Sequence, residues 1–112
     1  MSSNVDVLLL PMEGAMHEAI SLSTQMRDAG LRVQIHYEKK KFKAKMAYAD
    51  RLQIPYVAIL GEDEIAAQAV GLKNMATGEQ QTLPYLQAIA YLQKAVKAAT
   101  GKKIISDPIS WL

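Results

Sequence analysis

Cysteine is absent from this chain, and histidine occurs only at positions 17 and 36. The first absence excludes disulfides, thiolate zinc sites and cysteine nucleophiles together, and fits a reducing compartment. Charge of one sign is also scarce in the sum, with a formal net charge of +2. So weak a global field does not by itself mark a nucleic-acid binder, and any such signal must be local. Long apolar runs are missing as well. The run through Val5 and Val7 to Leu10 falls far short of the roughly 20 residues of a membrane span, and the opening MSSNVD has neither the basic start nor the apolar core of a signal peptide. The expectation is a soluble cytoplasmic protein without membrane contact.

What is present suits one ordinary core. Half of the 112 residues are apolar, enough for a single domain over residues 1–112, with its core at about 5–100 and a tail at 101–112. Val5 and Val7–Leu10, closed by Pro11, read as a strand buried on both faces of a parallel sheet. Ala15, Ala19, Leu22 and Met26 recur at helical spacing, and Gly30 stands where a helix C-cap favours positive φ. LRVQIHY (31–37) alternates like an edge strand with one wetter face. Phe42, Met46, Ala49 and Leu52 restore helical spacing until Pro55 forbids continuation, and YVAIL (56–60) is a second fully buried strand. A helical turn at 64–68, strands near 70–75 and 79–83 reversed at Gly78, and a helix after Pro84 with a stripe of Leu86, Ile89, Leu92 and Val96 complete the chain. This pattern predicts a three-layer α/β domain with a five-stranded mixed sheet, one antiparallel strand and three main helices.

In such a sheet ligands sit beyond the carboxyl ends of the strands. That places PMEG, HYEKKK and GEDE on one edge, and the amide-bearing hairpin is expected beside them. Lys39, Lys40, Lys41, Lys43, Lys45 and Arg51 form the one strong local field, with Asp50 the only acid among them. Lysines in a first helical turn oppose the macrodipole by about 0.3–1 kcal/mol each, yet a helix start with added lysines suits phosphates. A solvated lysine face is the plain alternative. Glu62, Asp63 and Glu64 lack the spacing of a cation loop. They are either an ordinary acidic helix start or supply an acceptor for a base edge. His17 and His36 fall in different elements with no serine–acid pair nearby, and read as structural or solvent-facing. The expectation is therefore a binding module without catalytic machinery or metal, in which the lysines position a nucleic acid while Glu64, Asn74 and Gln80 read exposed bases.

The stretches YADRLQIPYVAILGEDEIA and VGLKNMATGEQ closely resemble the C-terminal anticodon-binding domain of histidyl-tRNA synthetase, a class II aminoacyl-tRNA synthetase, and the likeness runs from about Val5 to Ala98. Related synthetases for threonine, proline and glycine share the fold and a similar Gly-X-X-Glu turn. The Gly78-Glu79-Gln80 ending is similar to the histidyl branch. The resemblance implies a domain that grips the anticodon stem-loop of histidine tRNA and not DNA, with Glu64, Lys73 and Asn74 against the bases and Lys39–Lys45 near the backbone. It also implies a catalytic domain as partner, within a homodimer, to which ATP and magnesium would belong, leaving this chain with no cofactor and no catalysis of its own. The alternative is a free-standing interaction or regulatory module that does not read tRNA. Two departures stand out: Gln53 replaces the glycine common in LGIP, and Gly71 occupies a β-branched position, where it is expected to loosen the hairpin.

Overall fold

The computed structural model describes residues 4–37 and 40–100, the last two by their backbone alone. Lys39 and the tail with Trp111 lie outside the described residues. The order is β1 (Val7–Pro11), α1 (Met16–Asp28), β2 (Val33–Ile35), α2 (Phe42–Arg51), β3 (Tyr56–Leu60), α3 (Glu62–Ala66), β4 (Ala69–Asn74), β5 (Gln80–Pro84) and α4 (Tyr85–Thr100). The strands form one sheet in the order β2-β1-β3-β4-β5. β1 pairs in parallel with β2 and β3, and β4 pairs antiparallel with both β3 and β5. One strand of five thus runs against the rest, as expected.

The alternation of β1 explains the layers. Val7 and Leu9 pack with Ala19, Leu22 and Met26 of α1 and Ala88, Ile89 and Leu92 of α4, whereas Leu8 and Leu10 pack with Ala49 of α2. Apolar side chains on both faces leave β1 fully buried and require helices on both sides. β2 is the edge strand and is half-buried throughout. Ahead of it, Arg32 closes the entry to the sheet by donating to the buried Asp6 carboxylate through Nη2 at 2.8 Å and Nε at 3.2 Å, and its backbone N–H adds a third bond at 2.9 Å. That bonding to Asp6 raises the guanidinium pKa further above its ordinary value.

Helix endings follow one device. Gly30 at φ 91° ends α1, with its N–H on Arg27 O and Leu31 N–H on Met26 O, a Schellman closure. α2 ends the same way on Gln53 at φ 56°, with Gln53 N–H on Asp50 O and Ile54 N–H on Ala49 O. The residue standing in for the LGIP glycine therefore holds the conformation glycine adopts freely, and it closes α2 before Pro55 is reached.

Three expectations need correcting. Phe42 and Leu52 are exposed; α2 instead buries Lys45 and Ala49, one turn apart. Leu86 is 77% exposed, because α4 starts directly from β5 in a rotation that turns Ala88, Ile89 and Leu92 inward. Gly71 does not loosen the hairpin: it is buried and keeps register with Ile59 on one side and Thr82 on the other.

Candidate nucleic-acid interface

The carboxyl ends of β1 and β2 open into a cavity of about 610 Å³ between the β1–α1 loop and the start of α2. Met12, Glu13 and Met16 line one side, and Tyr37, Lys40, Lys41 and Lys45 the other. Two features follow from the sequence around it. Gly14, at φ 84°, lets the chain turn sharply from β1 into α1. Lys45 sits one turn after Lys41 and one before Ala49, so its stem lies on the inner face of α2 and is 92% removed from solvent, at 8% exposure. No carboxylate pairs with it among the described residues. A lysine with a buried stem and a cavity at its tip presents an uncompensated cation to whatever enters. Lys41 and Lys43 are exposed, and no acid occupies the first turn of α2.

His36 secures this loop from below. It is buried, its N–H donates to Leu9 O at 2.9 Å, and its ring stacks on Tyr48 at 4.7 Å between centroids. Tyr48 Oη accepts from Gln34 Nε2 at 2.8 Å. His36 is thus structural and His17 is exposed, as the sequence implied.

The acidic turn borders the same edge. Met12 N–H donates to Leu60 O at 2.9 Å, tying the cavity wall to the end of β3. Glu64 Oε1 accepts from the Gly61 N–H at 2.9 Å. Glycine offers no side chain in return, so only the glutamate half of a capping box exists. Glu62, Asp63 and Glu64 all fall in the first turn of α3.

The hairpin is elsewhere. Tyr56, at the amino end of β3, pairs with Asn74, so the turn from Asn74 to Glu79 lies on the opposite edge of the sheet, about 13 Å away along β3. Its residues also divide between faces. Lys73 pairs with Val57 and Gln80 on the face that α2 covers only over β1 and β3, while Asn74 points to the α4 side. Asn74 Oδ1 accepts from Ala76 N–H at 2.9 Å and Thr77 N–H at 3.2 Å, an Asx turn that builds the reversal completed by Gly78 at φ 79°. The structure therefore brings together Lys40, Lys41 and Lys45 and sets Glu64 beside them. It joins Lys73 to Gln80 across β4 and β5, and Gln80 also borders a small cavity that Asn74 lines on the α4 side. Met12 and Tyr37 fall in the PMEG and HYEKKK loops expected at this edge without having been singled out, and Met16 is the cavity residue that sequence reasoning missed. The position of Lys45, four residues before Ala49 on a helix, was the signal for its burial.

Among the described residues no group of three histidine, cysteine or acidic side chains could hold a metal, and no helix is long and apolar enough to cross a membrane. The mixed α/β sheet places the chain among the anticodon-binding domains of aminoacyl-tRNA synthetases. The chain belongs to the anticodon binding domain family, whose model matches residues 6–95. It is 37% identical over 94 residues to a Geobacillus histidine–tRNA ligase, covering 83% of this chain and 22% of that protein. Its fold superposes with a TM-score of 0.80 on the histidyl-tRNA synthetase of Nostoc, at 27% identity, over 84% of this chain and 23% of that one. The RNA binding domain of threonyl-tRNA synthetase from Cryptosporidium parvum shares the fold alone, at 23% identity, a TM-score of 0.75, and coverage of 80% of this chain and 23% of that one. The chain spans about a fifth of the length of the curated relatives it matches.

Proposed function

We propose that this domain reads the anticodon stem-loop of histidine tRNA for a histidyl-tRNA synthetase and performs no chemistry itself. The remaining four fifths of such an enzyme would supply the ATP, magnesium and histidine sites, dimerise, and work with this domain in the cytoplasm. The observation that carries the reading is the cavity with the buried Lys45, which has no carboxylate partner among the described residues, at the sheet edge that also carries the Gly61–Glu64 turn, in a chain of the anticodon binding domain family. Lys40 and Lys41 meet phosphates at its mouth and Lys45 meets one within it, while the exposed Lys43 and Lys39, the latter outside the described residues, add phosphate contacts from the same basic run. Glu64 keeps one carboxylate oxygen on Gly61 and offers the other to a base amino or imino group. Lys73 and Gln80 extend the contact along the uncovered sheet face, and Asn74 contributes by holding the hairpin.

The test is a titration with the anticodon stem-loop of histidine tRNA and with an anticodon-swapped stem-loop, on the wild type and on Lys41→Gln/Lys43→Gln, at several salt concentrations. The expected result is a preference for the histidine sequence and a salt slope smaller by roughly 0.7–0.9 per phosphate contact removed, with the preference unchanged. Equal binding of both stem-loops by the wild type would overturn anticodon reading in favour of a protein-interaction role.

A further inference from the structure

A second, smaller cavity of about 70 Å³ lies at the other edge of the sheet, beneath the hairpin. Tyr56, Tyr91, Asn74, Glu79, Gln80 and Gln81 line it over Leu72. The Tyr56 and Tyr91 rings meet edge to face, 6.2 Å apart at 86°, and form two perpendicular walls. Asn74 Nδ2 approaches Tyr56 Oη at 3.5 Å, which orients that wall. Glu79 is the one charged residue of the lining, and no cation pairs with it among the described residues.

We infer that this cavity receives a guanidinium group, an arginine side chain of another protein segment. Size is the first reason. The space, about 70 Å³ against about 610 Å³ for the cavity at the other edge, suits a small head group. Polarity is the second. The Glu79 carboxylate, two phenol oxygens and the Gln81 amide carbonyl can all accept, and the carboxylate repels phosphate. Shape separates arginine from lysine: a planar fork with five donors lies against an aromatic wall while bonding to acceptors at its rim, which a compact ammonium cannot do. Position names the source. The cavity opens on the α4 side of the sheet, opposite the face that carries Lys73, and the longer relatives carry about four fifths of their chain outside the matched region, which supplies a protein surface.

The test uses the whole 112-residue chain without RNA, so it stands or falls separately from tRNA reading. N-acetyl-arginine methylamide, its neutral isostere N-acetyl-citrulline methylamide, and putrescine are titrated while the Asn74 and Gln81 side-chain amides are followed by NMR. Saturable shifts with the arginine derivative, at least about tenfold weaker affinity for citrulline, and a similar loss in Glu79→Gln with an otherwise unchanged spectrum support the assignment. An equal response to citrulline, no saturation, or an unaffected Glu79→Gln overturns it. Putrescine binding more tightly than the arginine derivative also overturns it, because the site would then serve free diamines.

Discussion

Glu64 Oε1 lies 2.9 Å from the Gly61 nitrogen, and a Cβ added to Gly61 would come within 2.8 Å of the same oxygen. The spacing Gly-X-X-Glu is thus a structural unit before it is a recognition motif. The glutamate caps the helix start, and the glycine leaves room for the glutamate to reach back. Because the crowding oxygen ends a flexible side chain, Gly61→Ala displaces the cap and leaves the backbone in place. Gly61→Ala and Glu64→Ala are each expected to cost about 1 kcal/mol, and the double variant about the same as either, since both remove one interaction. Urea unfolding of the four proteins checks this, and additive losses would show that the two residues act separately. Glu64→Gln retains an acceptor for the cap and separates stability from base reading: it should fold as the wild type and lose anticodon preference.

Gln53 at φ 56° and Gln68 at φ 52° hold left-handed backbone without being glycine. For an L-residue this costs roughly 1–2 kcal/mol, partly offset by the greater unfolded-state entropy of glycine. Gln53→Gly and Gln68→Gly should each raise stability by about 0.5–1 kcal/mol. Gly30→Ala, at the equivalent closure of α1, should lower it by a similar amount. Thermal melts decide, and a lower Tm for Gln53→Gly would mean that its side chain makes contacts worth more than the strain.

The same contrast shows what the sequence makes legible. Val7–Leu10 and YVAIL announced buried strands because no polar residue interrupts them, and Gly30 and Gly78 marked reversals that need positive φ. The antiparallel strand was legible too, but its consequence was not. Reversing β4 carries the hairpin turn to the edge opposite Glu64, which local pattern does not encode and only the pairing of Tyr56 with Asn74 reveals. Helical phase failed by one position at Leu86 because the junction with β5 sets the rotation of α4. Lys45 was misjudged for another reason: its type reads as surface, while its place on the helix buries its stem.

Two tyrosines should make stability fall at high pH. Burial, and then the neighbouring Tyr91 phenol, hold Tyr56 above its ordinary value; burial and then Glu18 do the same for Tyr85. Below about pH 10, the ordinary tyrosine value, folded and unfolded chains both carry the protons and the groups are silent. As pH rises past that value the unfolded chain ionises first, so it binds fewer protons than the folded one and stability declines. Denaturant melts between about pH 9 and 11 should show the decline, and Tyr56→Phe should make it shallower. A decline unaltered by that variant would assign the effect to other groups.

Lys45 distinguishes a cation held for binding from one tolerated at a surface. Its stem packs on the α2 side of the sheet and its ammonium has no described carboxylate partner, so replacing it by methionine keeps most of the buried volume and removes only the charge. If the charge serves the fold, Lys45→Met is destabilising. If it serves a ligand, the variant melts within about 0.5 kcal/mol of the wild type or above it, because an unpaired and partly desolvated charge opposes folding. The second outcome is expected, together with weaker binding of the histidine anticodon stem-loop and a salt slope smaller by roughly 0.7–0.9. Lys45→Gln, with a shorter and more polar stem, should lose stability where methionine does not, which marks the stem as the structural half of the residue. Exposed Lys41 supplies the comparison: Lys41→Gln should leave stability unchanged and reduce the slope by the same single contact. A Lys45→Met protein that binds the stem-loop as tightly as the wild type at every salt concentration would remove the cavity from the interface and leave the exposed lysines to carry it.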